Sequence, residues 1–272
     1  MAVDIARGSV INNDQLCSLF GCSPQGGMRR SLKTNTLVIV SNHVASIYDD
    51  RWVEGIFHYT GMGQLGDQSL TYAQNKTLAE ISTNGVEVNL FEVDKEGEYR
   101  YQGLVELAGN PYQETQPDQS KTDRLVWVFP LRLKDGSPIP YSSKEFEIAQ
   151  EVREKKAKKL SLDELTQKAK NAPKKAGERT VTSIQRERDP YVSMLAKRNA
   201  NGKCDLCEGE APFLDSKGMP YLETHHIVWL AKGGDDTIAN TVALCPNCHR
   251  KMHILNLDSD REHLNALKIK VK

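Results

Sequence analysis

Four cysteines near the C-terminus constrain this chain more than any other feature. Cys204 and Cys207 form one CxxC pair, Cys245 and Cys248 form a second, and residues 208–244 separate the two. Paired CxxC motifs in a reducing compartment indicate a metal far more often than disulfides. Four thiolates fill a tetrahedral Zn²⁺ site and leave no position for a catalytic water. The spacing therefore predicts a structural Zn²⁺ site that stabilises a domain too small to build a large core.

Four histidines lie in the same part of the chain. His225 and His226 end a predicted strand, so their side chains should point to opposite faces. One can bind a metal while the other faces an attacking water. His249 and His253 are four residues apart on a predicted helix and should share a face, and Asn240 lies between the two pairs.

This order of His-His, Asn and His resembles the HNH nuclease family. The region of about residues 180–260 is similar to the McrA-like type IV modification-dependent restriction endonucleases, through Arg188-Asp189-Pro190, residues 200–204 and residues 242–251. The resemblance implies a ββα-metal fold. It also implies that the chain is an HNH-type DNA endonuclease rather than a zinc-stapled module without activity.

Roles for these residues follow from the HNH resemblance. His226 would be the general base, and Asn240 would hold the loop that carries it. His225, His249 and His253 would bind one catalytic divalent ion, although some HNH nucleases have water at the third position. We expect Mg²⁺ or Mn²⁺ at this site, and imidazole ligands would also accept Ni²⁺ or Co²⁺.

The N-terminal half has a β-rich pattern. Short runs rich in β-branched and aromatic residues are separated by turn signals, and one segment, Gln74 to Ser82, has the pattern of a short helix. Several strands around one or two helices predict a curved β-sheet or half-barrel. With the C-terminal part, this makes the chain an α+β protein.

Four motifs in this half occur in an order that resembles the SRA (SET and RING associated) domain. They are Tyr48-Asp49-Asp50, Tyr59-Thr60-Gly61, Asp67-Gln68 and the segment Asn75 to Ala79. The resemblance covers about 110 residues and implies a reader that binds DNA by flipping a modified cytosine into a pocket. The spacings differ slightly from those of eukaryotic members.

A flipped cytosine needs aromatic faces and an acceptor for its N4 amine. We expect Tyr48 and Tyr59 to stack on the base. Asp49 or Asp50 would accept the N4 hydrogen, with Asp50 preferred, and Thr60 would meet the 5-substituent. The candidates for flanking phosphate contacts are Arg29, Arg30 and Lys33.

Charge and composition divide the chain further. The whole chain has a formal charge of zero, but residues 151–203 contain 15 Lys or Arg against 7 Asp or Glu, a net of +8. Residues 145–169 predict one exposed helix, and Asn171 to Gly177 predict a break. The resulting prediction is a reader domain at 1–140, a helical basic linker at 141–180 and a nuclease domain at 181–272.

No apolar run is long enough to span a membrane and no signal peptide is visible, so we expect a cytoplasmic protein. The predicted function is cleavage near 5-methylcytosine or 5-hydroxymethylcytosine in double-stranded DNA. Because one HNH site cuts one strand, a homodimer is expected. Three alternatives stay open: an HNH nuclease directed to a phosphorothioate or glucosylated mark, a non-catalytic binder of modified DNA, and an HNH enzyme that cuts unmodified DNA.

Overall fold

The computed structural model describes residues 3–46, 48–172, 174 and 176–269. The chain divides into two compact units, Met1–Ser183 and Ile184–Lys272. Pro173 and Lys175, in the predicted break between reader and nuclease, lie outside the described residues. Among the described helices, none has the length and apolar character needed to cross a membrane.

A mixed sheet of nine strands forms the centre of the first unit. Its strands are β1 (Val10–Ile11), β2 (Met28–Ser31), β3 (Thr36–Asn42), β4 (Arg51–Val53), β5 (Ile56–Thr60), β6 (Glu87–Lys95), β7 (Glu98–Leu107), β8 (Tyr112–Pro117) and β9 (Asp123–Leu133). The main path runs β2-β3-β6-β7-β9-β5-β4, with β1 on β7 and β8 on β9. Only the β3–β6 pair in this sheet is parallel among the described strands. The predicted curved-sheet α+β architecture is confirmed.

The two faces of this sheet bury two separate apolar clusters. Alternate residues of a strand point to opposite faces, so Leu37 and Ile39 join one cluster while Val38 and Val40 join the other. The helix α1 (Asn13–Phe20) covers the second cluster with Leu16 and Phe20. A nearly continuous apolar run such as β3 is what a strand buried on both faces requires.

Three further helices belong to this unit: α2 (Ala73–Ala79), α3 (Ser143–Ala157) and α4 (Leu162–Lys170). The single helix predicted over residues 145–169 is therefore wrong, because the chain forms two. Ser161 accepts a hydrogen bond from the Glu164 amide, and the Glu164 side chain bonds back to the Ser161 amide. This capping box starts a new helix in the middle of the charged run. After α4 the chain is still part of the first unit, where β11 (Val181–Thr182) pairs in parallel with β10 (Tyr141–Ser142).

The second unit has a small two-stranded antiparallel sheet and three helices. They are β12 (Glu223–His226), β13 (Thr241–Leu244), α5 (Pro190–Asn199), α6 (Pro246–Ile254) and α7 (Asp258–Ile269). The core packs Leu244 of β13 and Ile227, which directly follows β12, against Met252 and Leu264 from the helices. The order β12, β13, α6 is a ββα unit, as the HNH resemblance implied, and α6 carries residues of both candidate metal clusters.

Candidate functional site

The four cysteines of the two CxxC pairs meet in the second unit. The Sγ atoms of Cys204, Cys207, Cys245 and Cys248 lie within 4.8 Å of one another. Cys245 is the N-cap residue of α6, and its Sγ lies 3.5 Å from the Cys248 amide. The Gly209 amide lowers the pKa of the Cys207 thiol. Thiolate ligands with backbone amide donors fit a closed tetrahedral Zn²⁺ site.

Three histidines of the ββα unit form a second cluster. His225 lies on β12, while His249 and His253 lie one turn apart on α6, and one ring nitrogen from each falls within 4.8 Å of the others. The Nε2 atoms of His249 and His253 are 3.1 Å apart. The buried His225 Nε2 has no hydrogen-bond partner. An orphaned buried nitrogen beside two other imidazoles is the donor set of a divalent metal site.

The surroundings of these rings favour metal binding. Burial, followed by the neighbouring imidazoles, lowers the pKa of His225 to about 3, so this ring stays neutral and keeps its lone pair. Glu223, two residues earlier on β12, hydrogen-bonds His249 Nδ1. That bond leaves Nε2 of His249 directed at the cluster. In metal sites, a carboxylate that binds the other ring nitrogen orients a histidine ligand in the same way. Sequence reasoning missed Glu223, although its position two residues before the His-His pair was visible.

His226 points away from the three-histidine cluster because it neighbours His225 on the same strand. Its Nε2 lies 2.8 Å from Asp236 Oδ1, and the other carboxylate oxygen of Asp236 accepts a 2.6 Å hydrogen bond from the Asp189 amide. The pair forms a His-Asp dyad whose carboxylate is held in place from a second side. The sequence analysis did not single out Asp236, whose only visible signal was an acidic residue after a Gly-Gly turn.

Asn240 lies between the two strands and holds the connecting loop. Its Nδ2 donates to the carbonyls of Val228 and Asp235 at 2.9 and 2.8 Å, and its Oδ1 accepts from the Val228 amide at 2.8 Å. Gly234 lies so close to the Val228 carbonyl that a Cβ there would be 1.9 Å from the oxygen. Glycine and asparagine together therefore hold the loop that presents Asp236 to His226.

The candidate base pocket brings together three of the predicted residues around Thr60. Asp50 Oδ1 accepts a 2.8 Å hydrogen bond from the Thr60 amide. Tyr48 donates its hydroxyl hydrogen to the Gly63 carbonyl at 2.7 Å. Tyr59 is 3% exposed, packs in the core and donates to the Gly27 carbonyl at 2.8 Å. Burial raises the pKa of the Tyr59 hydroxyl, and the neighbouring Asp50 and Tyr48 raise it further, so the ionisable groups of the candidate pocket are close enough to interact.

The two neighbouring aspartates have different environments. Burial of the Asp50 carboxyl raises its pKa to about 6, against the lowering effect of hydrogen bonds from Thr60 and Ser41. Asp49 is exposed. A partly desolvated carboxyl lowers the stability of the folded protein. Groups of this kind are concentrated at functional sites. This contrast favours Asp50 over Asp49 as the residue that meets a base.

The three basic residues chosen for phosphate contact differ in accessibility. Arg29 is 5% exposed and donates to the Gly26 carbonyl and to Asn13 Oδ1, so it is engaged inside the protein. Arg30 is half-buried and donates to the Thr36 carbonyl and Asn35 Oδ1. Lys33 is exposed. Of the three, only Lys33 presents its charge freely to the surface.

The family comparison agrees with the two-part organisation. A family model described as the ScoMcrA-like SRA domain matches residues 7–155, more than half of the chain. The chain belongs to this family. A second model, HNH endonuclease, matches residues 204–254, which contain all four cysteines and every histidine of the cluster. The protein thus combines an SRA domain with an HNH endonuclease domain, as the sequence analysis predicted.

One curated relative is a restriction enzyme. The type IV methyl-directed restriction enzyme EcoKMcrA of Escherichia coli (strain K12) is 37% identical over 143 residues, which are 50% of this chain and 51% of that enzyme. The chain therefore spans about half the length of the relative it matches.

Solved structures with a likeness to this chain include the type IV phosphorothioation-dependent restriction endonuclease ScoMcrA. It is 22% identical with a TM-score of 0.41, over 98% of this chain and 63% of that one. The SUVH5 SRA domain in a complex with methylated CHH DNA is 22% identical with a TM-score of 0.36, over 50% of this chain and 100% of that one. These scores indicate a distant likeness.

Proposed function

We propose that the protein is a modification-dependent DNA endonuclease. Its SRA domain would bind double-stranded DNA that contains 5-methylcytosine or 5-hydroxymethylcytosine by flipping the modified base. Its HNH domain would then hydrolyse a nearby phosphodiester bond. The observation that carries the proposal is the arrangement of two adjacent residues on β12. His225 belongs to the three-histidine cluster on one face of the strand, and His226 forms the dyad with Asp236 on the other face.

Each residue of the nuclease site has a role in this proposal. His226 would take the proton from the attacking water, and Asp236 would orient the ring and stabilise the imidazolium that forms. Asn240 would hold the loop that keeps these two in register. Histidine is suited to this role because its ordinary pKa lies near neutral pH.

Two metal sites are part of the proposal. His225, His249 and His253 would hold one divalent ion, for which Mg²⁺ and Mn²⁺ are our candidates. Such an ion supplies stabilisation of the negative charge that develops on the phosphate and on the leaving oxygen. The four cysteines would hold a structural Zn²⁺ ion that has no part in the chemistry.

In the reader domain, Asp50 would accept the N4 amine of the flipped cytosine, and Thr60 would lie near its 5-substituent. Tyr48 and Tyr59 would supply aromatic faces for stacking. Because the Tyr59 ring is buried, a base would stack on it only after the surrounding side chains move aside. Extrusion costs a few kcal/mol, which stacking and edge hydrogen bonds can offset. Cutting both strands would require two copies, and we propose a homodimer.

The decisive experiment is cleavage of matched plasmids that carry unmodified cytosine, 5-methylcytosine, 5-hydroxymethylcytosine or phosphorothioate linkages, with Mg²⁺ or Mn²⁺ and with EDTA. We expect cleavage of a cytosine-modified plasmid only, and only with metal. Cleavage of all four would leave an HNH nuclease without a reader. Cleavage of the phosphorothioate plasmid alone would replace the proposed mark.

A variant separates the two domains' roles. His226→Ala should lower the cleavage rate by about 100- to 10,000-fold, because the general base is lost, and leave binding of modified DNA unchanged. His263→Ala, at an exposed position on α7, is the matched control and should cleave as the unaltered protein does. Undiminished cleavage by His226→Ala would remove this residue from the base role.

A further inference from the structure

Two buried polar residues face each other beside the candidate base pocket, and no role has been assigned to either. Gln116 on β8 is directly opposite Arg124 on β9. Directly opposed residues of antiparallel strands place their side chains on the same face. Gln116 is 3% exposed and Arg124 is 4% exposed. A buried arginine is rare unless its charge and its donors are satisfied.

These two side chains are not satisfied. Nε and Nη2 of Arg124 and Oε1 of Gln116 are buried and have no hydrogen-bond partner. At the Arg124 guanidinium, Nη1 donates to the Gly66 carbonyl at 3.0 Å, and interaction with Arg124 lowers the pKa of the Tyr48 hydroxyl against the larger effect of burial. A buried polar atom without a partner lowers the stability of the folded protein, because its hydrogen bonds to water are lost and not replaced. A pair that leaves two donors and one acceptor open has the groups needed to bind a polar ligand.

Acidic compensation of Arg124 is weak. Asp118 is the carboxylate whose pKa Arg124 helps to lower, after the stronger effect of the backbone amides around it. The Asp118 Oδ1 atom is already engaged by the amides of Ser120 and Thr122 at 2.8 and 3.0 Å. Asp118 Oδ1 is thus taken up by backbone amides, while Nε and Nη2 of Arg124 are left open.

The open atoms lie next to the residues that would hold a flipped base. Gln116 Nε2 donates to Thr60 Oγ1 at 3.3 Å. The Arg124 guanidinium lies 6.0 Å from the centroid of the Tyr48 ring. Gln116 thus lies beside Thr60, which would meet the 5-substituent of the base. Arg124 lies beside Tyr48, which would stack on the base.

We propose that Gln116 and Arg124 are specificity-determining residues of this pocket, and that they make it select a cytosine with a hydroxyl-bearing 5-substituent over a plain methyl group. The proposal rests on the base-reading function proposed above. Gln116 Oε1 would accept the hydroxyl hydrogen of the substituent, and Arg124 would donate to the ring acceptors N3 and O2. A methyl group would leave the Gln116 acceptor buried and unpaired, which is how a polar site rejects an analogue without the hydroxyl.

The test is equilibrium binding of the full chain, with EDTA to prevent cleavage, to otherwise identical duplexes that carry one cytosine, 5-methylcytosine or 5-hydroxymethylcytosine. We expect the hydroxymethyl duplex to bind about three- to tenfold more tightly than the methyl duplex, which corresponds to one neutral hydrogen bond. Gln116→Met keeps the length of the side chain and removes the amide, so it should abolish or reverse this ratio. Gln113→Met, at an exposed position on the same strand, should keep it.

A second variant tests Arg124. Arg124→Met should weaken binding of both modified duplexes by about tenfold or more and leave binding of the unmodified duplex unchanged, since charged hydrogen bonds contribute more than neutral ones. Thermal unfolding of each variant separates a loss of binding from a loss of fold. Arg124→Lys keeps the charge without the planar donors and should restore binding only in part.

The outcomes distinguish this inference from the function on which it rests. If the unaltered chain binds all three duplexes equally, the reader function and the inference both fail. If it prefers a modified duplex but Gln116→Met leaves the hydroxymethyl-to-methyl ratio unchanged, the inference fails and the reader function stands. An equal loss of modified and unmodified binding in Arg124→Met would make Arg124 a backbone contact and overturn its assigned role.

Discussion

Arg179 forms a two-bond ion pair with Glu92, although 87 residues separate them in the chain. The two N–O distances are 2.7 and 2.6 Å, and Glu92 is fully buried on β6. Burial alone would raise the pKa of Glu92, but Arg179 and His43 outweigh it and hold that pKa well below its ordinary value. The Arg179 guanidinium also lies 4.9 Å from the centroid of the Tyr141 ring. The last part of the predicted linker is thus an integral part of the first unit.

Removing Arg179 should therefore destabilise the reader domain. Arg179→Met leaves the buried Glu92 carboxylate with His43 and Trp52 but without its guanidinium partner, and the free energy of unfolding should fall by about 3–5 kcal/mol. The double variant Glu92→Gln with Arg179→Met should recover much of this loss, because no buried charge is left alone. Denaturant unfolding measures both effects. Lys170→Met, at an exposed site on α4, is the control, and an equal loss in this variant would contradict the prediction.

Asp50 should cost the protein stability at neutral pH. The pKa of its carboxyl is raised to about 6 in the folded protein from 3.8. At neutral pH, ionisation of this carboxyl therefore lowers the free energy of the unfolded state more than that of the folded state. Asp50→Asn should consequently be more stable than the unaltered protein at pH 7, by up to about 3 kcal/mol. This advantage should shrink as the pH falls through 6 towards 4.

Denaturant unfolding between pH 4 and pH 7.5 checks this dependence on Asp50. Asp49→Asn, at the exposed neighbouring position, should show no such trend. Because Asp50 is also the proposed base acceptor, Asp50→Asn should bind modified DNA less tightly while it unfolds less readily. A variant that is less stable at pH 7 and equally selective would count against both parts.

Asp236 should affect the rate of cleavage rather than the binding of metal. Asp236→Asn keeps the size of the side chain but weakens the contact to His226 Nε2. Replacing the carboxylate that orients a general-base histidine can lower kcat by up to about 10,000-fold, so we expect a loss of at least about tenfold. Single-turnover cleavage at saturating metal measures this loss, and Asp235→Asn, at the exposed adjacent position, is the control. A rate equal to that of the control would show that the dyad has no part in catalysis.

The cysteine cluster should hold the second unit together. Cys204→Ser should lower the bound Zn²⁺ and the folded fraction of that unit in parallel, because a structural site contributes on the order of 10 kcal/mol. Metal analysis and the near-UV signal of the folded chain follow the two quantities. Cys17→Ser, in the first unit, should change neither. Retention of the fold without metal would show that the core of the second unit suffices by itself.

The sequence determined the parts of this protein that depend on local spacing. Two CxxC pairs and a His-His pair before a helix are local patterns, and the chemistry of a metal site restricts which residues can fill them. The ββα unit and the SRA domain were implied by the resemblance of these local motifs to known families. The break at Ser161 was also local, since a Ser and a Glu three residues apart form a capping box, but the helical pattern on both sides concealed it.

Tertiary structure decided the pairings that join distant segments. Asp236 meets His226, Gln116 meets Thr60, and Arg179 meets Glu92, although nothing in the local sequence links the members of any pair. These contacts depend on strand register and on where a connection returns to a sheet, and many registers are compatible with the same alternating pattern. Burial then determined which polar residues matter for stability and binding. A charge or hydrogen-bond donor removed from water lowers stability unless a protein group or a ligand binds it.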